Sequence, residues 1–90
     1  MIIIPQAGST AINSEAVFQY DIMYNEDYCF SGKHWCVVVS PRAIKERKVK
    51  GCVVVGRYEN VGLAIRALNR LLDALLEGKS QYRMLEEDDE

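Results

Sequence analysis

The sequence predicts an α+β domain: an antiparallel sheet of about four strands in meander order, with one C-terminal helix packed across a face. Three observations predict it. The run Gly51-Cys52-Val53-Val54-Val55-Gly56-Arg57 is apolar and breaks at a glycine, after which hydrophobic spacing switches from period two to period 3.6. A second valine-rich run, residues 34–40, precedes it, and runs of both kinds read as strands. The connections between apolar runs are short, which makes sequential strands neighbours.

Each element has its own warrant. Residues 2–6 read as a short first strand that Pro5 confines to an edge or ends, and residues 7–10 as a turn. In residues 16–24, Val17, Gln19 and Asp21 alternate with Phe18, Tyr20, Ile22 and Tyr24, polar against apolar save for Val17, which predicts a strand. The preceding Ser14-Glu15-Ala16 is also suited to open a helical turn. Turns are expected at 25–27 and 31–33.

Strands 34–40 and 50–57 are the firmest. Trp35, Val37 and Val39 point one way and Cys36 and Val38 the other, while Val53 and Val55 oppose Cys52 and Val54. Strands apolar on both faces are strands covered on both sides. The helix covers one. The N-terminal segment or a second subunit is expected to cover the other, and Trp35 to be largely buried.

The helix starts after Asn60, a good N-cap residue, and closes at Gly78 as a left-handed cap. Its polar residues Arg66, Asn69, Arg70, Asp73 and Glu77 form one narrow stripe. The remaining girth is apolar and wider than the roughly 100° that one sheet contact requires. Two readings follow: a helix sunk deeply into its own sheet, or a surplus edge that forms a homodimer contact. The contact residues would be Leu63, Leu72 or Leu76, depending on which edge faces the sheet.

At 90 residues the chain makes one domain, 1–80, with 81–90 expected as an acidic, disordered tail. With 49% hydrophobic and 27% charged residues it belongs among compact folds and not among disordered chains. A net charge of −2 gives no global attraction to nucleic acid or anionic membrane. The start Met1-Ile2-Ile3-Ile4-Pro5 lacks the cationic residues and apolar length of a signal peptide, and no run reaches the roughly 20 apolar residues of a membrane span. The expected compartment is the cytoplasm, with no membrane contact.

No chemistry-bearing constellation stands out. Three cysteines, Cys29, Cys36 and Cys52, are a poor disulfide framework. Cys29, His34 and Cys36 lack the fourth ligand of a closed zinc site, and Cys36 has only His34 as a base, with no orienting acid. Glu26 and Asp27 suit a turn better than a carboxylate pair. There is no phosphate loop, dinucleotide fingerprint or nucleophile elbow. No catalytic, cofactor or metal residue is therefore assigned, and the chain is read as a non-enzyme that needs no cofactor.

Charge is uneven, however. Residues 42–50 carry Arg42, Lys45, Arg47, Lys48 and Lys50 against Glu46, and the chain ends in five consecutive acids. The basic loop is the candidate for phosphate contact. It lacks interleaved aromatics for base stacking, and the acidic tail competes for it, so a solvated hairpin is the simpler reading.

Met1-Ile2-Ile3-Ile4-Pro5-Gln6, together with Val55-Gly56-Arg57-Tyr58-Glu59 running into Ala64, Ala67, Leu68 and Leu71, resembles a group of short uncharacterised proteins of Gram-positive bacteria and their phages. The resemblance covers about 30 residues at the two ends and implies a fold without an activity. The sequence thus points to a phage-related or cytoplasmic accessory protein, acting as an interaction or assembly module on an unknown protein partner or as a homodimer. A nucleic-acid-binding regulator using the 42–50 loop is the alternative.

Overall fold

The computed structural model describes residues 1–7, 10–26, 32–45, 49 and 51–84. One helix packs on two three-stranded sheets. Strands β1 (Ile2–Ile4) and β2 (Ile12–Asn13) are followed by a 3-10 turn, Ser14–Ala16, then by β3 (Gln19–Tyr24), β4 (Trp35–Ser40) and β5 (Val53–Tyr58). Helix α1 (Val61–Leu76) and β6 (Gln81–Arg83) complete the chain.

The meander is real but holds three strands, in the order β3-β4-β5, all antiparallel. The expected first strand lies in a second sheet, ordered β2-β1-β6, in which β1 and β6 run parallel. Such a pair needs a long crossover, and the whole of the meander and helix supplies it. Two backbone bonds clamp β6 at its ends, from Ile2 N to Ser80 O and from Met84 N to Ile4 O, both 2.9 Å. The ordered domain therefore runs past residue 80. Met84 is 2% exposed, so residues 81–84 are core and edge of the fold, whereas the acids that follow lie outside the described residues.

The two sheets meet at β5. Val37 pairs with Gly56 and Val38 with Val54, leaving Val55 as the extra residue of a bulge. Gln6 uses both of its ends there: its backbone N–H donates to Val55 O at 2.9 Å, and its side-chain Oε1 accepts from Arg57 N at 2.7 Å. This joins the chain beyond β1 to the outer edge of β5.

The alternation read from the valine runs is observed. Val37, Val39 and Val55 join Ile3, Tyr58, Ala64, Ala67, Leu71 and Met84 in the main core beneath the helix. Trp35 packs against this core from the end of the sheet and keeps part of its surface in solvent. Cys36, Val38 and Met23 form a second cluster on the other face. The β4–β5 connection packs over that cluster, through Ile44, Val49, Cys52 and Val54, in the place expected for the N-terminal segment or a second subunit. Gln19 Oε1 accepts from Ile44 N at 3.0 Å, so the connection reaches back as far as β3. In the loop read as a solvated hairpin, Ile44 and Val49 turn toward the sheet because they find an apolar face to cover.

Helix α1 is set by its ends. Asn60 Oδ1 accepts from Leu63 N at 2.9 Å, the N-cap expected. At the other end Gly78 (φ +74°) makes the left-handed turn, with Gly78 N donating to Leu75 O and Lys79 N to Ala74 O. Among the residues the helix buries, three are alanines, Ala64, Ala67 and Ala74, with Leu71 beside them. Small residues bring its axis close to the sheet and leave the bulkier side chains at its margins.

Candidate functional site

The surface of α1 divides into three stripes. At 100° per residue, Ala64, Ala67, Leu71 and Ala74 lie within about 80° and face the sheets. Arg66, Arg70, Asp73 and Glu77 lie within about 60° on the polar side. Between them, on the margin away from β6, Val61, Ile65, Leu72 and Leu76 fall within about 60° of each other. Val61 is 41% exposed, Ile65 46% and Leu76 87%, and Leu72 is half-buried.

This stripe is the surplus anticipated from the helix's girth, and the structure decides which edge carries it. Leu72 and Leu76 lie on it. Leu63 lies on the opposite margin, half-buried against the main core, and Leu68 packs on that core beside the stripe. Val61 and Ile65 were not singled out from sequence. Their signal was the 4-7-4 spacing from Val61 through Ile65 and Leu72 to Leu76, which only separates from the core stripe once the sheet's position is known.

The basic loop is described in part. Arg42 and Lys45 are exposed, and Ser40, buried at its base, donates from Oγ to Arg42 O at 2.7 Å. Arg47, Lys48 and Lys50 lie outside the described residues.

A shallow cleft of about 220 Å³ runs between the polar side of α1 and β6, lined by Arg70, Asp73, Ala74, Glu77, Lys79 and Tyr82. The Tyr82 hydroxyl is buried there without a hydrogen-bond partner among the described residues. Burial pushes its pKa up, and the Arg70 guanidinium offsets part of that. The lining charges are mixed in sign, which gives the cleft no preference for an anion or a cation.

At the far end of the meander Tyr24 stacks on His34, with ring centroids 5.3 Å apart, and meets Trp35 edge-on at 5.1 Å. His34 Nδ1 lies 2.9 Å from Asn25 O, a contact that holds the ring across the β3–β4 turn. Cys36 is buried and donates weakly to His34 O at 3.6 Å; burial raises its pKa, with Arg57 pulling the other way. Burial of this kind disfavours the thiolate. Cys29 is outside the described residues. Among the described residues no group of three His, Cys, Asp or Glu side chains is placed to hold a metal ion.

Among the described residues, β3 is an outer strand of the meander, paired with β4 on one side. Asn25 N donates to His34 O, so Gln19, Asp21 and Met23, which share its parity, turn their backbone toward β4. The backbone of Tyr20, Ile22 and Tyr24 points outward. Asp21 Oδ1 accepts from Ile22 N at 2.7 Å, which puts a carboxylate over the middle N–H of that edge. Strand addition there is opposed both by the lost donor and by the charge.

No family model matches the chain, and no curated protein or solved structure matches it. Among the described residues, no helix is long and apolar enough to cross a membrane.

Proposed function

We propose that this protein is a non-catalytic interaction and assembly module whose working surface is the outer edge of α1, and that it self-associates through that edge. One observation carries the reading: a helix that otherwise sinks a full face into the core leaves Val61, Ile65 and Leu76 in solvent in one line. Apolar side chains aligned on one face in this way mark protein contacts more often than scattered ones do. A small domain also gains proportionately from a partner, since its own core is limited. The resemblance to short proteins of Gram-positive bacteria and their phages fits an accessory role of this kind. The basic loop is a weaker candidate for the working surface, because Ile44 and Val49 commit it to covering the sheet.

Sedimentation velocity tests the reading. The wild type is expected to be dimeric at tens of micromolar, the range where weak dimers persist. Leu76→Arg, at a side chain 87% exposed, is expected to give a folded monomer whose thermal melt no longer depends on protein concentration. A wild-type monomer throughout that range overturns the proposal.

A further inference from the structure

We propose, resting on the reading of α1's outer edge as the working surface, that its occupant is a second copy of this chain docked antiparallel, with Arg66 of each copy facing Asp73 of the other. The charges of the helix point to this. A lone helix favours acids in its first turn and bases in its last. Helix α1 has neither. Its bases, Arg66 and Arg70, precede its acids, and Asp73 and Glu77 at the C-terminal end stand against the macrodipole. The four include two like-charge pairs at spacing four, Arg66 with Arg70 and Asp73 with Glu77, beside one opposite-charge pair at spacing three, Arg70 with Asp73. Beside an antiparallel copy the same arrangement becomes complementary.

The register agrees. Arg66 and Asp73 lie seven residues apart, about 20° from each other around the axis, on the margin next to the apolar stripe. A two-fold axis crossing the middle of α1 places Ile65 opposite Leu72 and Val61 opposite Leu76. The same axis sets Arg66 opposite Asp73 to within about two residues, or roughly 3 Å of rise. Gly62, exposed on that margin, leaves room for Leu76 of the second copy. A two-fold parallel pair would instead put the charged margins of the two copies on opposite sides of the seam, where Arg66 and Asp73 do not meet. The interface is isologous, so each residue acts twice. The guarded edge of β3 is not needed for it.

The test is charge reversal read by sedimentation equilibrium at low salt, using the full chain. Arg66→Asp leaves two acids on the margin and Asp73→Arg leaves two bases. Each alone is expected to weaken the dimer about tenfold, because two rim pairs turn from attraction to repulsion. An equimolar mixture of the two variants is expected to associate as tightly as the wild type, and so is the double variant. Both positions are exposed, and circular dichroism checks that each variant folds. A wild-type dimer that neither single reversal weakens, or a mixture that does not recover, overturns the antiparallel docking and leaves the helix edge as the working surface. A wild-type monomer throughout tens of micromolar overturns both.

Discussion

Gly56→Ala is expected to destabilise this domain, although a strand glycine replaced by alanine would ordinarily gain about 0.5–1 kcal/mol from reduced chain entropy. The reason is Tyr58. Its ring folds back over the residue two before it on the same face of β5, and it is only 1% exposed. A Cβ at Gly56 would stand 2.7 Å from Tyr58 Oη, 2.8 Å from Cε2 and 3.1 Å from Cζ. Distances below 3.0 Å require movement. The obstacle is a buried aromatic ring, not the free end of a flexible chain. The backbone cannot easily yield either, since the adjacent Val55 bulge is tied to Gln6 and Arg57 N is tied to the same side chain. Overpacking of this kind costs about 1–3 kcal/mol, which exceeds the entropic gain. A loss of 1 kcal/mol lowers Tm by roughly 4–8 °C in a domain this size. Urea unfolding followed by Trp35 fluorescence measures it, and Tyr58→Leu supplies the control. With the ring gone, alanine at 56 should cost much less than in the wild type, which exposes the coupling as a double-mutant cycle. A Gly56→Ala variant as stable as the wild type, or more so, would refute the argument that close approach of the ring selects glycine here.

Two further outcomes follow from the site geometry. Asp21→Ala removes the carboxylate over Ile22 N, so light scattering should show more concentration-dependent association than in the wild type; an unchanged profile would remove Asp21 from the role of edge guard. For Tyr82 and Tyr20, burial raises the folded-state pKa above the ordinary 10.0, so the unfolded chain loses these protons first. Their stabilising contribution is whole below pH 10 and is lost as pH rises through the folded values. Tyr82→Phe should therefore flatten the alkaline fall in stability while staying within about 1 kcal/mol of the wild type at pH 7, because the hydroxyl it removes has no partner among the described residues; a larger loss at pH 7 would count against this.

Local chemistry was legible in the sequence. Asn60 and Gly78 bound the helix because caps are made by the residues at its ends, with no help from elsewhere in the fold. The two faces of β4 were readable because side-chain direction alternates along any strand. The excess girth of α1 was readable for the same kind of reason, since the helical period fixes which residues share a side. Even Ser14–Ala16, weighed between strand and helical turn, settles as a 3-10 turn leading into β3, with Asn13 Oδ1 accepting from Glu15 N.

Only the tertiary structure decided the rest. Strand β6 is three residues long, with no pattern of its own to announce it; it exists because β1, about eighty residues earlier, offers an edge, and Met84 because the core has room beside Ile3. The inward fold of the β4–β5 connection depends on an apolar face assembled from β3, β4 and β5 together. The helix stripe is the clearest instance. Leu63, Leu72 and Leu76 are equal in sequence, and the sheets alone place Leu63 on the core and leave Leu76 in water. Periodicity fixes which residues lie together on an element, because it is a property of the backbone. Which side is inside is fixed by what the element packs against, and that is a property of the whole chain.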